Sequence, residues 1–153
     1  MIDIKKAYSE LKKKNDLPSF DEIDSLFEIS ALDSEQFLLR NIRRKITDTL
    51  EYYLKLLEEV LHPETTLAAM HEQRFFTEDD RKHYITLYKR LMIIHRKSLE
   101  VALLQDDEAH SAFIRDVFKV WPSLQKELLG LVKKLQGYWQ EEDVQGEGLG
   151  YFG

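Results

Sequence analysis

Residues 34–63 read SEQFLLRNIRRKITDTLEYYLKLLEEVLHP. Leu39, Ile42, Ile46, Leu50, Tyr53, Leu57 and Val60 recur at steps of three and four, and Leu38, Leu54 and Leu61 widen the stripe. That spacing stacks apolar side chains on one face of a helix and does not fit the two-residue period of a strand. It predicts a helix over residues 34–61, roughly 40 Å long at about 1.5 Å per residue. Asp33 or Ser34 can cap its start, with Leu32 as the staple residue before the cap. His62-Pro63 ends it, because the residue before a proline is pushed out of the helical region.

A second long pattern follows. Thr77 and Asp80 have the spacing of a reciprocal cap, and Ile85, Tyr88, Leu91/Met92, His95, Leu99 and Ala102/Leu103 then form a stripe that predicts a helix over 78–105. The segment between, PETTLAAMHEQRFF (63–76), has room for a turn or two of helix. Upstream, Ile4, Ala7, Tyr8 and Leu11 mark a helix over 3–14, and Ser19 with Glu22 opens a short one. Downstream, Ala109, Phe113, Val117 and Phe118 mark a helix over 107–120. Trp121-Pro122 is expected to interrupt it, with Pro122 starting a further helix that carries Leu124, Leu128, Leu131, Val132, Leu135 and Trp139. No segment combines alternating hydrophobicity with β-branched enrichment and Gly/Asn turns. The fold class is therefore all-α, a helical bundle of five to six helices in which 34–61 and 78–105 are long and antiparallel. Residues 1–140 form the helical domain and 141–153 a Gly-rich C-terminal tail.

Composition excludes several function classes. Apolar residues make up 43% and charged residues 33%, the balance of a folded chain rather than a disordered one. A net charge of −6 argues against general affinity for nucleic acid or anionic lipid, leaving only a local patch to supply either. Cysteine is absent, which removes disulfides, thiol catalysis and thiolate metal sites. The start, MIDIKKAYSELKKK, is charged from its third residue and does not read as a signal peptide; runs such as LMII (91–94) are too short to span a bilayer. A cytoplasmic acidic protein with no membrane association is expected.

Three acid-x-x-histidine pairs, Glu59/His62, Asp80/His83 and Asp107/His110, have the spacing that metal-binding bundles use. All three fall near predicted helix ends, where inward convergence is lost, so no metal and no cofactor is assigned. His95 lies on an apolar stripe and is expected to be buried and hydrogen-bonded, with Tyr53, Tyr84 or Tyr88 as sources of a partner. Arg40, Arg43 and Arg44, with Lys45 beside them, are the candidate phosphate-binding group; a second basic run, Arg81, Lys82, Lys89, Arg90, Arg96 and Lys97, follows on the later helix. Residues 15–38 carry seven acids and no base, a ready internal partner for those arginines. A solvated or internally paired basic face is the favoured reading.

The chain closes on GEGLGYFG (146–153), which holds four of its six glycines. Flexible glycines around Leu149, Tyr151 and Phe152 suit a docking tip whose aromatics act as anchors for a partner. The tail resembles the box by which replication proteins dock on the sliding clamp: Gln145, Tyr151 and Phe152 have its spacing, while Gly148 stands at its aliphatic position and Leu149 one place late. No catalytic residue is assigned, since no nucleophile, paired carboxylate or Gly-rich loop stands out. The sequence reads as a non-enzymatic, macromolecule-binding adaptor or assembly protein, joining a protein partner or a second copy through this tail or an apolar surface. The alternative is a nucleic-acid-associated protein using the basic faces of the two long helices.

Overall fold

A computed structural model describes residues 2–62, 64 and 66–149, with 141–149 as backbone alone. Among these residues there are six α-helices and no strand: α1 (Ile4–Asn15), α2 (Phe20–Phe27), α3 (Leu38–Leu61), α4 (Leu67–Glu72), α5 (Glu78–Leu104) and α6 (Asp107–Leu149). Short 3-10 turns at Ile29–Ala31 and Gln73–Phe75 follow α2 and α4. No helix among the described residues is long and apolar enough to cross a membrane.

The caps carry out what their residue types allow. Ser19 Oγ accepts from the Glu22 amide and donates to its carboxylate at 2.7 Å, opening α2. The Thr77 hydroxyl accepts from the Asp80 amide while Asp80 accepts from the Thr77 amide, opening α5 as the spacing predicts. α4 occupies the expected linker and starts from Thr66, whose hydroxyl accepts from the Ala69 amide.

Three boundaries differ from the sequence reading. α3 begins at Leu38, not 34, because the Ser34 hydroxyl accepts from the Gln36 amide two residues on and closes a turn instead of capping a helix. Phe37 then takes a left-handed φ of 52° before its carbonyl accepts the first helical bond, from Asn41. α6 runs unbroken through Pro122, where two helices were expected. The missing amide costs a hydrogen bond, which the burial of Trp121 against Phe27, rings 5.2 Å apart, offsets. The helical backbone also continues past residue 140 to Leu149, so the tail expected from 141 begins as helix.

The chain divides into two compact units. Unit 1 comprises Met1–Leu54 with Lys89–Pro122. Its core is built from Tyr8, Ile23, Ile29, Ile42, Ile46, Leu50, Leu91 and Ile114, all buried. Within it α3 and α5 run antiparallel, since Arg43 meets Ser98 while Glu51 meets His95. The Tyr8 hydroxyl donates to the Pro18 carbonyl at 2.6 Å, and Arg115 donates to the Asn15 carbonyl, fastening the end of α1. Unit 2 comprises Lys55–Tyr88 with Ser123–Gly153. Leu57, Val60, Phe76, Leu87, Leu124, Leu128, Leu131 and Leu135 are among its buried residues, and Phe75 packs on Tyr138 at 5.4 Å. Here Lys134 donates to Asp80 at 2.5 Å, and His83 lies 3.4 Å from Glu127.

The face that α5 buries is also turned from the expected one. Tyr84, Leu87, Leu91, His95, Ser98 and Val101 point inward, while Ile85, Leu99 and Leu103 of the predicted stripe are exposed. Only Leu91 and His95 belong both to the predicted stripe and to the buried face.

Leu50 and Leu91 are fully buried in unit 1, so Leu50→Ala and Leu91→Ala should each cost about 2–5 kcal/mol in chemical denaturation. A loss below about 0.5 kcal/mol, the range of surface substitutions, would contradict this core. In unit 2 the Lys134 hydrogen bond, and after it the Thr77 amide, holds the Asp80 carboxyl below the ordinary aspartate range. A carboxyl whose folded pKa is depressed adds stability above its unfolded pKa of about 3.9, and that stability is lost as the pH falls through the folded value. Lys134→Met should therefore lower the denaturation midpoint at neutral pH, and the gap to wild type should close once the pH drops well below about 3.9. A gap of constant size across that range would show that the pair contributes by packing alone.

Candidate functional site

The basic cluster of α3 resolves into three separate environments. Arg43 is 7% exposed and lies inside unit 1. Its Nε donates to His110 Nε2 of α6 at 3.2 Å, and its Nη1 donates to Ser98 Oγ of α5 at 3.1 Å. An arginine can only donate, so His110 Nε2 is an acceptor, and its Nδ1–H donates to the Asp106 carbonyl at 2.9 Å. Thr47 Oγ1 donates to the Arg43 carbonyl at 2.8 Å, which leaves Ser98 to donate its own proton to Thr47 Oγ1 at 2.7 Å. The network therefore runs from α3 to both α5 and α6 with each hydroxyl and ring proton given a direction. Burial, with the Arg44 and Arg40 charges beside it, pushes Arg43 below the usual arginine range.

Among the described residues no carboxylate lies within ion-pair distance of Arg40, Arg43 or Arg44. The acids of 15–38 do not pair with them. Arg40 instead lies over the Phe37 ring, 5.0 Å from its centroid, and Arg44 donates to Asn41 Oδ1 at 3.2 Å. The three arginines lie three and four residues apart on one side of α3 but at different depths: Arg44 is exposed, Arg40 half-buried and Arg43 enclosed. The structure does not gather them into one phosphate-facing group.

His95 is buried, as its place on the stripe predicts. Its Nε2 meets Glu51 Oε2 at 3.0 Å and its Nδ1 meets Arg96 Nη1 at 2.8 Å. The partners are these two charged groups rather than a tyrosine. Arg96 can only donate, so Nδ1 accepts and Nε2–H donates to Glu51.

The three histidines of the acid-x-x-histidine pairs bond groups outside those pairs. His62 contacts Glu64 at 3.1 Å, His83 contacts Glu127, and His110 serves the interior network. Among the described residues no group of three or more His, Asp or Glu converges as a metal site.

Two surface features of unit 1 lie on α5 or beside the α3 arginines. A cleft of about 710 Å³ is lined by Lys14, Glu35, Phe37, Arg40, Asp106 and Asp107, with aliphatic groups of α1 and α3 beneath. Its carboxylates and cations are of mixed sign, and Arg40 is already stacked on Phe37. The second is apolar. Ile93 and Ile94 of α5 and Phe113, Val117 and Val120 of α6 line a groove of about 160 Å³, with Lys97 and Asp116 at its edge. Ile93 is 70% exposed and Leu103, farther along α5, is 84% exposed; Leu99 and Leu104 are exposed as well. Of the C-terminal anchors, Leu149 closes the α6 backbone, and Tyr151 and Phe152 lie outside the described residues.

Compared with known proteins, the chain matches no protein-family model, no curated protein and no solved structure.

Arg43→Lys keeps the charge but offers one nitrogen where a fork spans His110 and Ser98. Leaving one of those buried acceptors unmet should cost about 1–3 kcal/mol in chemical denaturation. Full wild-type stability in this variant would mean that the network does not hold the helices together.

Proposed function

We propose that this chain is a non-enzymatic helical interaction protein that docks another protein, or a second copy of itself, through the exposed aliphatic side chains of α5. The observation that supports this reading is the exposure of Ile93, Leu99, Leu103 and Leu104 on a helix whose inward face is partly polar. Solvent-exposed aliphatics grouped on one element mark interaction surfaces more often than scattered single ones do. An amphipathic helix laid along α5 would anchor at three- and four-residue steps, and the groove floored by Phe113 and Val117 could receive one such anchor. Leu149, Tyr151 and Phe152 form a second route to the same kind of partner. A cytoplasmic setting accords with this role. The nucleic-acid alternative keeps Arg40 and Arg44 but not Arg43, which is spent inside the fold.

The test pairs the double variant Ile93→Glu/Leu103→Glu with a deletion of residues 146–153. Sedimentation velocity reads self-association, and affinity purification from the native organism reads partners. The account expects the double variant to lose a partner or a dimer while its denaturation midpoint stays at the wild-type value. Loss only on the deletion assigns docking to the tail. Wild-type assembly and the same partners in both variants contradict the proposal.

A further inference from the structure

Where the end of α2 meets α3 in unit 1, a second cleft has a different character from the α5 face. Phe27, Glu28, Lys45, Asp48, Thr49, Tyr52 and Tyr53 line about 310 Å³, near the lower end of the roughly 300–1,000 Å³ of ligand sites. Two tyrosines adjacent in sequence both reach it. Their ring centroids are 5.2 Å apart and the planes meet at 89°, an edge-to-face pair whose two rings both line the cleft. Tyr52 is 69% exposed, and its ring is held at the surface instead of folded into the core.

The charges around this recess are unspent. Among the described residues the Glu28 and Asp48 carboxylates make no ion pair or side-chain hydrogen bond, and neither does Lys45. Glu28 stands at the left-handed end of α2, φ 54°, which fixes where its side chain leaves the backbone. Aromatic faces carry negative electrostatic potential and attract a poorly hydrated cation; carboxylates beside them add to that attraction. An anion would meet ring faces and two acids and would be repelled. An uncharged apolar group would bury the acids at a cost.

We propose that the Tyr52–Tyr53 cleft binds an organic ammonium cation, with the two rings as walls and Asp48 and Glu28 as the counter-charge. Lys45 sits in the same lining and weakens the site, because its ammonium repels an incoming cation. This site is independent of the α5 docking face, and either can fail alone.

The experiment titrates the full-length, 15N-labelled chain with tetramethylammonium chloride, with sodium chloride at equal ionic strength as the control. Saturable amide shifts are expected at Thr49, Tyr52 and Tyr53 and not with sodium. Tyr52→Ala and Asp48→Asn, both at exposed positions, should weaken the affinity about three- to tenfold, and Lys45→Met should strengthen it. Thermal midpoints equal to wild type show that the variants are folded. A parallel titration with a blocked trimethyl-lysine identifies the source: tighter binding than tetramethylammonium assigns the cation to a side chain of a partner, equal binding to a free small amine. Shifts that fail to saturate, that sodium reproduces, or that survive Tyr52→Ala unchanged overturn the proposal, as does weaker binding in Lys45→Met.

Discussion

A guanidinium enclosed without a carboxylate must be met by neutral acceptors, and in unit 1 Arg43 is met by Ser98 and His110. This requirement sets how α5 is turned. Ser98 has to face α3 to accept from Arg43 and to reach Thr47, and His95, three residues earlier, faces inward with it and meets Glu51. A helix has only one inward face. With His95 and Ser98 occupying it beside Leu91 and Val101, the leucines at 99 and 103 are carried to the outside. The interior polar network and the exposed aliphatic face are thus two sides of one rotation.

The arrangement is costly in isolation. Burying a charged group among neutral partners stabilises less than packing a hydrocarbon of equal volume would, so the network contributes by specifying register as much as by adding stability. Nε and Nη1 of Arg43 each meet one acceptor, and a shift of α5 by one residue would remove Ser98 from Arg43. Beside His110 in the chain, Ser111 Oγ is buried with no hydrogen-bond partner among the described residues, a polar group that adds no bond in return for its burial. The carboxylate pairs of unit 2 differ, since Asp80 and Lys134 keep contact with water and their attraction depends on charge state.

Much of the fold was legible in the sequence because steric and periodic rules are local. The stripe of α3, the Thr77–Asp80 cap and the stop at His62 all follow from neighbouring residues. The face of α5 was not legible, because hydrophobic periodicity weights leucines over serine, and only a partner on another helix makes Ser98 the better inward residue. A signal existed at Arg43, which lies four residues after Leu39 and three before Ile46, on the stripe itself. Read by position instead of by charge, it predicts an interior arginine. Pro122 misled for the same reason: its local preference to start a helix is real, but burial of Trp121 on Phe27 holds the preceding turn in place. The Tyr52–Tyr53 recess needed α2 and α3 to be brought together, and no spacing within one segment announces it.

The claim on which the rest depends is that Arg43 is locked inside unit 1 by His110 and Ser98. Hydrogen exchange of the arginine Nε–H groups, followed by NMR and assigned to Arg43 by its loss in Arg43→Lys, tests this directly. The account predicts a slowly exchanging Arg43 Nε–H whose protection collapses in His110→Ala while the remaining arginine signals keep their rates. An Arg43 Nε–H that exchanges as fast as that of exposed Arg44 would contradict it, and would return the arginine to the surface where a phosphate could reach it.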